Sequence, residues 1–176
     1  AGQISFESVG SEETQEQLRK LVRVARNLGQ KYDAVVTNPP YRGMTDCAVK
    51  LNEFAVLNYQ NSKSDLYSIF IERCSEFTSN FGFFAMITMQ SWMYLASYKN
   101  LRKMLIEQIT FENMLVMGSN AFDSGDVGTV VQTATYVIRK QDVHRFKSQY
   151  IDLCEPTSSE AKQELLFDGA HVYVID

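Results

Sequence analysis

The chain is poor in the residues that build metal centres and disulfide scaffolds. Its 176 residues include three cysteines (Cys47, Cys74 and Cys154) and two histidines (His144 and His171). The thiols are odd in number and far apart. They match no zinc-ligand spacing, and no Cys/His cluster can form around them. They read as buried or surface thiols in a reducing cytosol. Long apolar runs are also missing. The longest candidate, Phe81 to Met89, is strand-sized, far short of the roughly 20 residues that span a bilayer. No membrane contact and a cytoplasmic location are therefore expected. The first ten residues, AGQISFESVG, lack a basic region followed by an apolar stretch, so no signal peptide is expected. They also begin without Met, which suggests a processed or excised product. Neither sign of charge dominates: 17 Lys and Arg stand against 21 Asp and Glu, for a net charge of −4. Such mild acidity argues against nucleic-acid binding over the whole surface. It leaves room for a local basic groove, or for a DNA-binding surface on another part of the polypeptide.

What is present is ordinary globular material. Hydrophobic residues make up 45% and aromatics 12%, enough for one domain with a sizeable core. Residues 11–29 read as a helix, with Ser11 as N-cap, Leu18, Leu21, Val22, Ala25 and Leu28 at helical spacing, and Gly29 at the end. Residues 4–9 form at best a weak strand. Tyr32 to Val36 is a β-branched run without polar alternation, the pattern of a strand buried on both faces of a parallel sheet. Residues 38–46 hold two prolines and Gly43, which makes them a loop. Ser64-Asp65 can cap an amphipathic helix from Leu66 to Phe77. A turn at Asn80-Phe81-Gly82 precedes an apolar strand from Phe83 to Thr88. Residues 91–109 are helical in two pieces, 111–117 a strand and 129–139 a long strand. The order is that of an α/β fold, parallel strands with helical crossovers. The short connection 118–128 lets the last two strands pair antiparallel.

The informative residues are Asn38-Pro39-Pro40-Tyr41, directly after the strand at 32–36. Carboxyl ends of parallel strands line the ligand crevice of an open sheet. Asn38 precedes a proline and is pushed towards extended geometry. Pro39 and Pro40 have fixed φ and no N–H. The loop therefore presents the Asn38 side-chain oxygen and the Pro39 carbonyl as two stiff acceptors beside the Tyr41 ring. That suits a planar –NH2 group. Accepting both of its hydrogens favours a pyramidal nitrogen and stabilises the positive charge that develops as it attacks an electrophilic methyl. Neither metal nor strong base is required. The competing structural reading is a rigid proline turn; a strand before and a loop after are the context the motif needs.

Tyr32 to Tyr41 resembles the catalytic loop of S-adenosylmethionine-dependent amino-methyltransferases, especially the γ-class N6-adenine DNA methyltransferases. The resemblance runs over residues 31–140. It takes in Ser62 to Tyr67, the following Ile69 to Arg73, the strand and Trp-containing turn from Gly82 to Met93, and the pair Ala121-Phe122-Asp123 and Gly128 to Thr133. It is most similar to the large adenine methyltransferases of BREX-type phage-exclusion systems. The resemblance implies a Rossmann-like class I methyltransferase fold and S-adenosylmethionine as cofactor. DNA would be the partner. Asn38 and Pro39 would bind the N6 amine, with Pro40 completing the rigid corner. Tyr41 would stack on a flipped adenine. Phe122 would contact the base from the other side, and Asp65 and Tyr67 would lie near the loop. For Asp65 the competing reading is a helix N-cap; for Trp92 it is packing. Arg42, Lys50 and Lys63 either meet phosphates or remain solvated surface charge.

One departure from the family pattern matters for activity. None of the nine glycines forms a G-x-G, so the glycine-rich loop that cradles the cofactor is missing. Residues 1–140 are then expected to be the second half of a methyltransferase domain and 141–176 a C-terminal extension. As a fragment, the chain would be inactive alone. It would also leave a sheet edge, most plainly at 32–36, free for self-association. Two other readings stand beside this one: an amino-methyltransferase acting on release-factor glutamine or an rRNA base, and a non-catalytic module.

Overall fold

The structure, a computed structural model, describes residues 6–121 and 131–175, with side chains from residue 12 onward. The chain divides into two units, residues 1–31 and 32–176. The first unit is a single helix, α1 (Phe6–Gly29). It starts before Ser11, which is therefore not the N-cap, and residues 6–9 are helical rather than extended. The interior Gly10 costs about 1 kcal/mol, which a helix of 24 residues absorbs.

The second unit carries, in chain order, β1 (Tyr32–Thr37), α2 (Val49–Asn58), α3 (Leu66–Phe77), β2 (Thr78–Met89), α4 (Lys99–Gln108), β3 (Thr110–Gly118), β4 (Thr133–Arg139), β5 (Ser148–Asp152), α5 (Ser159–Asp168) and β6 (Val172–Ile175). The strands form one sheet in the order β1-β2-β4-β3-β5-β6. β1 and β2 are parallel. β4 inserts between β2 and β3, antiparallel to both. β5 lies parallel to β3, and β6 turns back antiparallel along β5. The expected α/β fold is observed, with the antiparallel strand where the short connection placed it. The weakly patterned last residues extend the sheet.

A single apolar cluster holds α3 and α4 on the sheet. Tyr67, Ile71 and Cys74 of α3 and Leu101 and Leu105 of α4 meet Phe84, Met86, Tyr136 and Ile138 of the central strands. Along β2 the buried positions alternate, as the period of a strand requires. Trp92 is buried here, donating to Thr88 Oγ1 at 3.2 Å and stacking on Phe111, so its role is packing.

Three local expectations need correction. Helix α2 was not evident in the sequence, because it has no side-chain cap at Ala48 and its polar residues Lys50, Asn52, Glu53 and Asn58 are scattered among the apolar ones without a clear stripe. β2 begins at Thr78, before the expected turn at 80–82. That turn survives as an irregularity inside the strand: the register slips between Tyr32 and Ala34 of β1, and Phe81 has φ +68. Gly82 is needed there, since a Cβ would come within 2.9 Å of the Asp33 carbonyl. Finally, β1 is not buried on both faces. It is the edge strand of the sheet, and Val36 is 79% exposed.

Candidate active site

Because β1 and β2 are parallel, their carboxyl ends lie at one edge of the sheet, and the Asn38–Tyr41 loop leaves from that edge. Asn38 is exposed, Pro39 buried, Pro40 exposed and Tyr41 half-buried. Among the described residues the Asn38 carboxamide has no hydrogen-bond partner, and no backbone N–H is given to the Pro39 carbonyl. Both acceptors named from the sequence are thus uncommitted.

Tyr41 is held from two directions. Its hydroxyl donates to the Ile87 carbonyl at 3.2 Å, and its ring meets the Tyr67 ring edge-on at 6.2 Å. Tyr67 is itself buried and hydrogen-bonded to Ser91 Oγ at 2.8 Å. Burial pushes both phenols above their usual range. They remain protonated at neutral pH and act as donors and surfaces, not as bases.

The exit of the loop is tied to the start of α3. Gly43 and Asp65 form an antiparallel bridge. Leu66 N–H donates to the Arg42 carbonyl at 3.0 Å and Met44 N–H to the Ser64 carbonyl at 3.1 Å. Asp65 Oδ1 accepts from Tyr67 N–H and Arg42 N–H, each at 3.1 Å. The carboxylate is therefore the N-cap of α3 and a loop contact at once. Burial raises its pKa, and the amides of Tyr67 and Arg42 pull it partly back.

The structure thus links Tyr41, Tyr67 and Asp65 directly after the exposed Asn38 and buried Pro39. Phe122 lies outside the described residues. The Arg42 guanidinium is turned back onto the Asp46 carbonyl, while Lys50 and Lys63 are exposed. The sequence did not point to Ile87 or Ser91. Ile87 was legible in principle, since continuing the Thr37–Met86 pairing by one residue sets it beside the loop. Beside the loop, Cys47, Val49, Val56 and Leu57 line an open groove of about 560 Å³. Among the described residues no group of His, Cys, Asp and Glu could hold a metal ion, and no helix is long and apolar enough to cross a membrane.

This sheet and loop define an α/β fold shared with class I S-adenosylmethionine-dependent methyltransferases. One from Listeria monocytogenes superposes with a TM-score of 0.54 at 14% identity, over 79% of this chain and 42% of that one. A nuclease-deletion mutant of the Type ISP restriction-modification enzyme LlaGI, solved with a DNA substrate mimic, gives 0.63 at 17% identity over 88% of this chain and 18% of its own. The DrdV–DNA complex gives 0.62 at 19% identity, over 89% and 18%. A model of the Eco57I restriction-modification methylase family matches residues 4–122; the chain belongs to that family. It is 39% identical to the adenine-specific methyltransferase PglX of Lacticaseibacillus casei (strain Zhang), over 93% of this chain and 14% of that protein. It is 36% identical to the adenine-specific methyltransferase BrxX of Escherichia coli O9:H4 (strain HS), over 90% and 13%. The chain therefore spans about one seventh of the length of these relatives.

Proposed function

We propose that the protein carrying this chain transfers a methyl group from S-adenosylmethionine to the N6 amine of adenine in DNA, and that these residues grip the base. The carrying observation is the pair of uncommitted acceptors on a stiff loop: the exposed Asn38 carboxamide and the Pro39 carbonyl. Family membership and two relatives named for adenine-specific methylation favour adenine over release-factor glutamine or an rRNA base.

In this reading Asn38 Oδ1 and the Pro39 oxygen accept the two amine hydrogens. The nitrogen lone pair is thereby turned out of conjugation, and positive charge building on nitrogen is stabilised by oxygens already in place. Pro39 and Pro40 keep that corner from relaxing. The Tyr41 ring, fixed by Ile87 and Tyr67, offers a stacking face to a base taken out of the duplex. The cofactor would supply the methyl group. The described residues contain no glycine-rich strand–loop to cradle it, and its contacts are assigned to none of them. Asp65 and Tyr67 support the corner from below, and Phe122 is a further candidate for the base contact.

Substituting Asn38→Ala in the full-length protein should abolish N6-methyladenine in genomic DNA, measured by mass spectrometry of nucleosides. Unchanged methylation would remove Asn38 from the reaction.

A further inference from the structure

We propose that Asp65 is a positioning residue for methyl transfer, its carboxylate clamping the exit of the Asn38–Tyr41 loop onto the first turn of α3. The inference rests on the functional reading above and goes beyond it. What the structure shows is one oxygen shared between two backbone amides, Arg42 N–H from the loop and Tyr67 N–H from the helix.

The clamp is built around that oxygen. Residues 42–44 and 64–66 form a short antiparallel ladder, with Arg42 carbonyl to Leu66 N–H and Ser64 carbonyl to Met44 N–H. The ladder alone leaves Arg42 N–H, the first amide after Tyr41, without a backbone acceptor. Asp65 supplies it. Two residues further on, Tyr67 meets the Tyr41 ring edge-on. One side chain thus sets both the path of the loop after Tyr41 and the start of the helix whose Tyr67 ring braces Tyr41. Arg42 is the next residue after the stacking face, so slack at this point moves the face and the two acceptors relative to each other. Misplacement by about 1 Å costs on the order of a hundredfold in rate.

The role predicts a pattern among three variants of the full-length protein. Asp65→Asn keeps an oxygen acceptor of the same reach and should restore most of the wild-type kcat. Asp65→Ala removes it. Asp65→Ser is the discriminating variant: serine caps helices well, but its oxygen is one bond shorter and serves its own helix. Thermal stability should therefore recover in Asp65→Ser while kcat stays low. Hydrogen exchange supplies a readout independent of activity. The Arg42 amide should be protected in wild type and Asp65→Asn and exchange fast in Asp65→Ala and Asp65→Ser. In the low-activity variants kcat should fall on the order of tenfold or more, with the KM for the cofactor held.

Two results overturn the clamp. If Asp65→Asn is as inactive as Asp65→Ala, the negative charge itself is needed and Asp65 touches the substrate. If Asp65→Ser matches wild type in kcat and in Arg42 exchange, the residue is only a helix cap. Should the wild-type protein show no methylation at all, the functional reading fails, and exchange at Arg42 still decides whether the clamp exists.

Discussion

Tyr41 shows how much of this site depends on support rather than on reacting groups. Its hydroxyl is engaged with a strand carbonyl and its ring with a buried neighbour, so what it offers the proposed reaction is the ring and not a free hydroxyl. Removing the hydroxyl and removing the ring should therefore have separable effects. Tyr41→Phe loses one neutral hydrogen bond, worth about 1 kcal/mol of stability, and should keep most of the methylation rate. Tyr41→Ala loses the stacking face, worth about 1–3 kcal/mol per base. That corresponds to a drop on the order of ten- to a hundredfold in kcat/KM. Steady-state kinetics of the full-length protein on a duplex substrate, with melting curves as the control for folding, would measure both. Equal losses in the two variants would mean that the hydroxyl, not the face, matters.

At the scale of elements, α3 carries a feature that makes stability depend on pH in an unusual direction. Glu72 is half-buried, and its Oε1 is enclosed without a hydrogen-bond partner. Burial raises its pKa above the ordinary 4.5; the nearby Ser62 hydroxyl pulls it partly back, and repulsion from Glu76 adds to the rise. A carboxyl with a raised folded pKa binds its proton more tightly in the native state. Its contribution is fully present below pH 4.5 and is lost as pH rises through the raised folded value. Glu72→Gln should accordingly be more stable than wild type at pH 7, and the gain should fade as pH falls towards 4.5. Urea unfolding at several pH values would show it; a constant gain would point to packing instead. The same helix also shows what a sequence can disclose. Its cap, its apolar stripe and its end were readable, because each is a local signal. α2 was not readable, since its polar and apolar residues are mixed around the helix and leave no periodicity to detect. Nor was the slip at residues 78–82, which lies where β1 comes close to β2 at Gly82, a contact between residues far apart in sequence. The two acceptors and the aromatic face of the site were legible in four consecutive residues. Their supports, Ile87 and Ser91, were not, because they come from another strand and its turn.

For the molecule as a whole, the decisive property is what the sheet leaves open. Among the described residues β1 has a neighbour on one side alone, and its run of Ala34, Val35 and Val36 reads as a strand meant for burial on both faces. The exposure of Val36 (79%) is the cost of that mismatch, and an uncovered edge of this kind invites another strand. In the 176-residue chain by itself the available strand is that of a second copy, so self-association should increase with concentration in size-exclusion chromatography. The cofactor follows the same logic. Binding it needs a backbone that can approach a charged, flexible ligand closely, which is why glycine-rich turns after a strand serve nucleotides. None of the nine glycines here forms a G-x-G, and Gly82, among the most tightly placed of them, is spent on strand contact. In the proposed function the loop after β1 accepts hydrogens from an amine, and no cofactor contact is assigned to it. We therefore expect this chain alone to show no methyltransferase activity and to bind S-adenosylmethionine with a dissociation constant of about 1 mM or weaker, equivalent to at most about 4 kcal/mol. Isothermal titration calorimetry measures this directly. A micromolar constant would mean that the part proposed to grip the base also holds the methyl donor, and the division of labour inferred from the missing glycine loop would be wrong.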